Sequence, residues 1–302
     1  MNFKTNDVIL NIHHRDFDGV ASSIIVENAL RHLGVKIQYY PVGYPDIDSV
    51  MNTLHYENYD HVLLTDISPV RDPSLIDRSP KIKLLDHHDT AQKYHCPEKF
   101  RFVDTSKCAT LVVKEYFEKE YNVDLSHLDD FAFLANDYDL WQHVDKRSKL
   151  LNSLYYKYWD EKFRTRFMDG EISFTEKEIE FFKGEHRKFE SIMNNLVVYD
   201  IPNIKGAFFT AGEMINDVCD KVLIEKGYDF AFCLNARSKT VSVRTTRNDI
   251  NVGQICERMN IGGGHAKAAG IDPRTTGELQ KVIEDVSEQI ASDLKINQGG
   301  IA

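Results

Sequence analysis

Short apolar runs alternate with helical patterns along the first half of the chain. Apolar positions at helical spacing predict helices at residues 20–33, which Gly34 stops, and 46–57. Strands that alternate with helices are typical of a parallel sheet with crossover helices, so we expect an α/β fold. Runs of β-branched and apolar residues predict the four strands, at residues 8–12 (VILNI), 35–40 (VKIQYY), 61–65 (HVLLT) and 81–85 (KIKLL).

After Cys108 the pattern turns helical and continues through Trp159. A charged amphipathic stretch at residues 175–196 then predicts a connecting helix, which Gly184 could interrupt. A short helix near Gln254 and a glycine-rich loop are expected farther along. The remaining predicted elements are strands at 204–210, 228–235 and 240–245, and helices at 213–226 and 276–294.

The length of 302 residues favours two domains, since domains usually hold on the order of 100–200 residues. We expect a first domain over residues 1–172, a connecting helix over 173–198 and a smaller α/β domain over 199–302.

Composition narrows the class of protein. A hydrophobic fraction of 42% and a charged fraction of 28% are typical of a globular chain. A net charge of −10 argues against binding to long duplex nucleic acid, which uses many Lys and Arg contacts. No apolar run reaches the roughly 18 residues of a membrane span, and the N-terminus lacks the apolar core of a signal peptide. We therefore expect a cytoplasmic protein without membrane contacts. Its five scattered cysteines form no C-x-x-C pair, which argues against a disulfide framework or zinc ribbon.

Acidic residues and histidines follow three of the predicted strands. Because ligands of open parallel sheets bind outside the carboxyl ends of the strands, these side chains are expected in one crevice. Imidazole and carboxylate together suit Mn, Fe or Zn, so the pattern predicts a metal site, although Asp16 alone could serve as a helix cap. A later segment, ANDYDLW, offers either Asp137 or Asp139 as a further ligand. The residues at the strand ends are His14, Asp16 and Asp18, then Asp66, then Asp86, His87 and His88.

These motifs resemble those of the DHH family of phosphoesterases, which is named after the triplet found here at residues 86–88. The second half extends the resemblance, because Gly262, Gly263, Gly264 and His265 are similar to the glycine-rich loop of the family's accessory domain, DHHA1. Upstream, a second element of that domain is matched by Ser242, Arg244 and Thr245. The resemblance implies an N-terminal parallel-sheet DHH domain with crossover helices and a smaller C-terminal α/β DHHA1-like domain.

The resemblance also implies a site for two divalent metal ions, Mn²⁺ above all. One ion would be held by His14, Asp16 and Asp66. The other would be held by Asp18, His87, Asp137 and again Asp66. His88 would then face the substrate phosphate, and Asp86 would orient a histidine ring as carboxylates often do. Two alternatives stay open, namely His13 in place of His14 and Asp139 in place of Asp137.

Arg244 and residues 262–265 would bind substrate in the second domain. Glycine lets backbone N–H groups approach an anion closely, and Arg244 and His265 can add charge-assisted hydrogen bonds. The alternative is that the glycines form a tight turn that packs the terminal helix.

The resemblance implies hydrolysis of phosphodiester bonds by water that two metal ions activate. The form H-x-D-x-D-G-V is most similar to the short oligoribonucleases of the family, so short oligonucleotides or small nucleotides are the expected substrates and 5′-mononucleotides the expected products. Cyclic dinucleotide phosphodiesterases, 3′-phosphoadenosine-5′-phosphate phosphatases and single-strand exonucleases are alternative activities. A nucleotide-sensing pseudoenzyme is the alternative that is not an enzyme, and a homo-oligomer stays open.

An aromatic run precedes two arginines near the middle of the chain. It could stack nucleobases, but aromatic residues at helical spacing are usually buried in the core, which is the assignment expected here. The run comprises Tyr155, Tyr156, Tyr158 and Trp159, followed by Arg164 and Arg166.

Overall fold

The computed structural model describes residues 1–44, 46–92, 97–271 and 278–299, with side chains only as far as residue 295 in the last helix. The chain divides into two compact units, Met1–Ile179 and Glu180–Ala302, called unit 1 and unit 2 below. Cys96 and the expected start of the last helix at residue 276 lie outside the described residues. Across the described ranges, no helix combines the length and apolar character needed to span a membrane.

Unit 1 is built on a parallel sheet of five strands in the order β2-β1-β3-β4-β5. The predicted α/β class is confirmed. Its elements are β1 (Val8–His14), α1 (Phe17–Leu30), β2 (Lys36–Val42), α2 (Ile47–Thr53), β3 (His61–Thr65), β4 (Ile82–Asp86), α3 (Asp89–Gln92), β5 (Arg101–Val103), α4 (Ala109–Tyr121), α5 (Asp129–Asp139) and α6 (Lys146–Phe167).

The boundaries in unit 1 differ from the prediction in ways that have local causes. α1 begins at Phe17 rather than at residue 20, because the Asp16 side chain accepts a hydrogen bond from the backbone N–H of Gly19 and caps the helix. α2 ends at Thr53, before the predicted residue 57. β5 was not predicted, since three residues are too few to show a period.

The central strands are buried almost throughout. All five positions of β4 and four of the five in β3 are buried, as expected for strands covered on both faces. Apolar side chains of these strands pack in one cluster with β1 and α2; it includes Leu10, Ile12, Val62, Leu64, Leu84 and Met51. This packing fixes the carboxyl ends of β1, β3 and β4 relative to one another.

The chain changes direction across the sheet between β1 and β3. β2 pairs with one edge of β1, and β3 pairs with the other. The connection after β1 leads to β2 and the connection after β3 leads to β4, so these two connections leave toward opposite sides. A crevice opens at such a switch point, at the carboxyl ends of the strands.

Unit 2 contains a mixed sheet in the order β10-β11-β9-β8-β7-β6, in which only β7 and β8 pair in parallel among the described strands. Its elements are α7 (Glu176–Asn194), which crosses the boundary between the units, β6 (Val198–Ile201), β7 (Gly206–Ala211), α8 (Ile215–Lys226), β8 (Phe230–Asn235), β9 (Val241–Thr245), α9 (Val252–Arg258), β10 (Gly262–His265), β11 (Ala268–Ile271) and α10 (Leu279–Gly299). α7 corresponds to the expected connecting helix, and Gly184 does not interrupt it.

The glycine-rich segment forms a β-hairpin, not the expected loop. Residues 262–265 pair antiparallel with residues 268–271. A Cβ atom at Gly262 would collide with the carbonyl oxygen of Gly270, and Gly264 has a φ of +146°, which side-chain-bearing residues rarely adopt. Close backbone packing therefore accounts for at least these two glycines.

We expect Gly19→Ala to destabilise unit 1. A Cβ atom there would collide with the backbone carbonyl oxygen of His14, which cannot move without displacing the end of β1. Overpacking of this kind costs about 1–3 kcal/mol, which corresponds to a decrease in Tm of about 2–12 °C for a unit of this size. Thermal unfolding measures the effect. Gly212→Ala is the matched control, because its Cβ would have no neighbour within 4 Å; equal Tm values for the two variants would contradict the packing argument.

Candidate metal centre

The carboxyl ends of β1, β3 and β4 bring the acidic and histidine motifs together. In each of two groups, the potential ligand atoms lie within 4.8 Å of one another. The first group, called the His14 group, consists of His14, Asp16 and Asp66. The second, called the His87 group, consists of Asp18, His87 and Asp139.

In the His14 group, His14 Nδ1 lies 2.7 Å from Asp16 Oδ2 and 3.7 Å from Asp66 Oδ2. The other oxygen of Asp16 accepts the Gly19 N–H at the start of α1, so the helix cap directs Asp16 Oδ2 toward the histidine. The adjacent His13 points elsewhere, with its Nε2 atom 3.2 Å from Asp160 Oδ1. The geometry therefore favours His14 over His13.

The carboxylate of Asp66 lies between His14 and the His87 group. Its Oδ1 atom lies 3.3 Å from His87 Nε2, and its Oδ2 atom faces His14. Asp66 directly follows β3 with a φ of +61°, a left-handed conformation that is uncommon for residues other than glycine. Such strain is found where function fixes a side chain, and here it places a carboxylate where a bridging ligand would stand.

In the His87 group, the carboxylate of Asp18 is held by the first turn of α4. Its oxygens accept hydrogen bonds from the backbone N–H groups of Ala109 and Thr110 and from the Thr110 hydroxyl, at 2.6–2.9 Å. A helix N-terminus stabilises a carboxylate in this position. Asp18 Oδ2 lies 3.8 Å from His87 Nε2, and Asp139 Oδ2 lies 3.6 Å from the same atom.

The geometry favours Asp139 over Asp137 as a ligand, against the expectation from the sequence. The Asp137 carboxylate accepts the backbone N–H groups of Val144 and Asp145, at 2.8 and 3.3 Å, and so fixes the turn after α5. Asp139, at the last position of α5, belongs to the His87 group. The two residues lie about 200° apart around a helix, so only one of them can face the cluster.

Asp86 and His88 form a hydrogen-bonded pair. Asp86 Oδ1 lies 2.8 Å from His88 Nδ1 and accepts the backbone N–H groups of His87 and His88. Burial alone would raise the pKa of Asp86, but the two histidines and the hydrogen bonds lower it to about 2. An ionised Asp86 fixes the orientation of the His88 ring.

Burial and mutual repulsion dominate the electrostatics of the cluster. They raise the pKa of Asp66 well above its usual range, and burial with nearby carboxylates raises that of Asp139 to about 7. Burial would lower the pKa values of His14 and His87, but the surrounding carboxylates raise both.

This donor set fits divalent cations. Asp66 Oδ2 and Asp139 Oδ2 are buried, and no described residue donates a hydrogen bond to either atom. Buried carboxylate oxygens are usually hydrogen-bonded or bound to a cation. With imidazole nitrogens in both groups, the ligands are those that suit Mn²⁺, Fe²⁺ or Zn²⁺.

In unit 2, the strand pairing aligns Arg244, Ala268 and His265 in one row across β9, β11 and β10. Residues in such a row share a face of the sheet, and strands two apart are separated by roughly 9–10 Å. The Arg244 guanidinium donates to the Asn216 side chain of α8 at 2.7 Å. The expected substrate-binding residues Arg244 and His265 are thus placed on one surface, together with Asn216, which the sequence did not indicate.

No family model matches the chain. It is 24% identical over 293 residues to oligoribonuclease NrnB of Bacillus subtilis (strain 168), covering 85% of this chain and 71% of that protein. It is 22% identical over 159 residues to a 3′,5′-cyclic-nucleotide phosphodiesterase of Helicobacter pylori, covering 44% and 43%. RecJ of Thermus thermophilus, solved in complex with Mn²⁺, shares the fold with a TM-score of 0.54 at 13% identity, covering 95% of this chain and 52% of that one. These findings support the resemblance to the DHH family of phosphoesterases.

The sequence did not reveal which residues hold the side chains at the ends of the strands in place. Thr110 and Ala109 hold Asp18 from more than 90 positions away along the chain, and Asp160 holds His13. The sequence does predict that a helix starts after Cys108. It does not show which carboxylate would accept hydrogen bonds from the N–H groups of that helix.

Alanine substitutions should separate the roles of Asp139 and Asp137. Asp139→Ala should weaken Mn²⁺ binding by at least about tenfold, as loss of a residue at a metal site does, and should leave the Tm of the metal-free protein unchanged or higher. Asp137→Ala should remove the acceptor of two part-buried N–H groups, at about 0.5–1.5 kcal/mol each, and so lower the Tm by several degrees. Calorimetric metal titration and thermal unfolding measure both effects. Loss of an ion in Asp137→Ala at unchanged Tm would reverse the assignment.

The metal-free protein should lose stability as the pH rises from 5 to 8. The pKa of Asp139 is about 7 in the folded protein against an ordinary value of 3.8, so the folded state binds a proton that the unfolded chain has released. That contribution is present at low pH and is lost as the pH rises through about 7. The raised pKa values of His14 and His87 act in the same direction. Thermal unfolding in chelator should show a decrease that is smaller in Asp139→Asn and is reversed by Mn²⁺. A Tm that rises over this range would be inconsistent with the buried cluster.

Proposed function

We propose that the protein hydrolyses phosphodiester bonds in short oligonucleotides and releases 5′-mononucleotides, with two divalent ions, Mn²⁺ above all. The observation that carries the proposal is the position of Asp66, whose single carboxylate faces His14 on one side and His87 on the other. A shared carboxylate between two ligand groups is the arrangement that a dinuclear site requires. The similarity to an oligoribonuclease along 85% of the chain supports the choice of substrate.

The candidate ligands divide into two sets, one for each proposed ion. His14, Asp16 and Asp66 would hold one ion, and Asp18, His87, Asp139 and again Asp66 would hold the other. When bound, a pair of divalent ions lowers the pKa of water so that it can attack phosphorus near neutral pH, and neutralises charge on the phosphate.

The protein's own groups position the phosphate and the ligands. Asp86 fixes His88 through Nδ1, and we assign the opposite ring nitrogen, Nε2, to donate to a non-bridging phosphate oxygen. The first turn of α4 holds Asp18 in place before any ion binds, which lowers the reorganisation needed on binding. In unit 2, Arg244, His265 and the backbone of Gly262, Gly263 and Gly264 are assigned to substrate recognition.

The charge of the chain supports a short substrate. A net charge of −10 repels a long polyanion, whose binding needs a basic track or repeated stacking contacts along the strand. A short oligonucleotide needs only the site itself. The similarity to a cyclic-nucleotide phosphodiesterase makes cyclic nucleotides the second candidate substrates.

We expect RNA of two to five nucleotides to be degraded to 5′-mononucleotides much faster than a 24-mer. Initial rates on labelled 3-mer and 24-mer RNA at equal concentration, in Mn²⁺ and low salt, test this with product identification. Equal or faster degradation of the 24-mer would contradict the short-substrate proposal. If RNA is not degraded but cyclic nucleotides, cyclic dinucleotides or 3′-phosphoadenosine-5′-phosphate are hydrolysed, the proposed substrate class is wrong and one of these compounds takes its place.

The same assay tests His87→Ala, which removes a proposed ligand. Its rate should decrease by more than about 100-fold, beyond what the loss of a supporting residue causes. His55→Ala is a matched histidine control, because His55 is exposed and contacts only Glu57 among the described ion-pair partners. Retention of activity in His87→Ala would refute the two-ion assignment.

A further inference from the structure

Two aromatic side chains of α6 are exposed although large aromatic residues are usually buried. Tyr156 is 53% exposed and Trp159 is 56% exposed, and their ring centroids lie 6.1 Å apart. They are called the aromatic pair below. Tyr155, from the same run, is fully buried, so the expected core placement holds for Tyr155 and is wrong for the aromatic pair.

An ion pair connects this part of α6 to β1. Asp160 directly follows Trp159, and its Oδ1 atom lies 3.2 Å from Nε2 of the buried His13. His13 in turn precedes His14 of the proposed metal centre. The second carboxylate oxygen of Asp160 accepts a hydrogen bond from Arg164 at 2.6 Å. The residue that follows Trp159 is therefore in direct contact with the end of β1.

A chain of ring contacts makes a second connection. Tyr155 lies 6.2 Å from Trp159 and 5.9 Å from Phe163, and Phe163 lies 5.7 Å from Phe17, between centroids. Phe17 separates Asp16 from Asp18 in the sequence.

The hydroxyl groups of the two tyrosines give a further indication of this proximity. The Tyr155 hydroxyl is buried, and no described residue hydrogen-bonds to it. Desolvation and the Asp16 charge together raise the pKa of Tyr156 to about 12. Both phenols thus lie within the electrostatic field of the proposed metal centre.

The backbone at Trp159 is strained. This residue has φ 59° and ψ −175° inside α6, a conformation that favours glycine and kinks the helix. The flanking contacts maintain it, since Asp160 is bound to His13 and the Arg164 guanidinium stacks 3.6 Å above the Tyr39 ring. Such strain persists where surrounding structure imposes it, and it clusters at ligand sites.

We propose that Trp159 and Tyr156 form a stacking platform for the nucleobase adjacent to the phosphate that is cleaved. The inference rests on the proposed function, because the metal centre supplies the phosphate site beside which the base would lie. Because the two rings are nearly perpendicular, at 84°, the base would stack on the face of Trp159 and meet Tyr156 at its edge. Stacking on an aromatic face accepts any base, since every base has a π face. The platform therefore binds short oligonucleotides without strong sequence preference.

Tryptophan fluorescence tests the stack without any reaction. The chain has two tryptophans, Trp141 and Trp159, so Trp159→Phe isolates the signal of Trp159 by difference. At constant Mg²⁺, AMP should quench the wild-type fluorescence saturably, ribose 5-phosphate should not, and most of the AMP effect should be absent in Trp159→Phe. Equal effects of the two ligands, or an AMP effect that persists in Trp159→Phe, would overturn the platform.

Kinetics provide the second measurement. Trp159→Ala should raise the KM for a 3-mer RNA by about 5- to 150-fold, the factor that corresponds to one stacked base, and Trp159→Phe should recover most of the loss. Cleavage of a 3-mer whose base beside the scissile phosphate is absent should be equal in wild type and Trp159→Ala. Tyr199→Ala, which removes an aromatic ring of similar exposure from β6, should leave the KM unchanged.

Trp159→Gly separates stacking from folding. Glycine relieves the strain, so this variant should unfold at or above the wild-type Tm while showing the same increase in KM as Trp159→Ala. An equal loss on both 3-mers would assign Trp159 a structural role and refute the platform. If the wild type hydrolyses no nucleotide while AMP still quenches Trp159 selectively, the platform stands and the proposed function fails.

Discussion

The structure depends on keeping several carboxylates close together and away from water. Asp18, Asp66 and Asp139 surround His87 in a cluster, and burial together with their mutual repulsion raises the pKa values of Asp66 and Asp139. Like charges in a poorly solvated site oppose folding unless cations or protons compensate them. The carboxylates raise the pKa values of His14 and His87, so protonation of these rings offsets part of the repulsion without metal. Bound divalent cations would provide more, which is the physical reason to interpret the cluster as a metal centre.

The rest of unit 1 tolerates this repulsion because the elements that carry the ligands are rigid. β3 and β4 are buried on both faces, so their ends cannot separate to relieve the charges. The strand order 2-1-3-4-5 places the ends of β1, β3 and β4 side by side. The first turn of α4 then stabilises Asp18 through its N–H groups, as helix N-termini stabilise anions. Packing supplies the free energy that the site itself lacks.

Some of the residues with unusual backbone conformations belong to the cluster or to the segments that follow it in unit 1. Asp66 and Trp159 both have positive φ, and so do Trp141 and His143 in the turn that Asp137 holds. Each conformation is disfavoured locally and is maintained by contacts from elsewhere in unit 1. At Trp159, the ion pair between Asp160 and His13 joins the strained helix to the strand that carries His14. The proposed metal centre and the aromatic pair are thus supported by the same set of contacts.

The sequence by itself determined the α/β class and the positions of His14, Asp66 and residues 86–88, because a polar residue after a buried strand necessarily lies at the edge of a parallel sheet. Tertiary structure decided what local spacing cannot. The glycine segment forms a hairpin because β9 offers a pairing edge, and Trp159 is exposed because a distant strand holds its neighbour Asp160. The choice between Asp137 and Asp139 follows the turn after α5, whose N–H groups bind the first and leave the second to face His87. Periodicity describes neighbours along the chain, whereas these outcomes depend on contacts between side chains and backbone groups that only folding brings together.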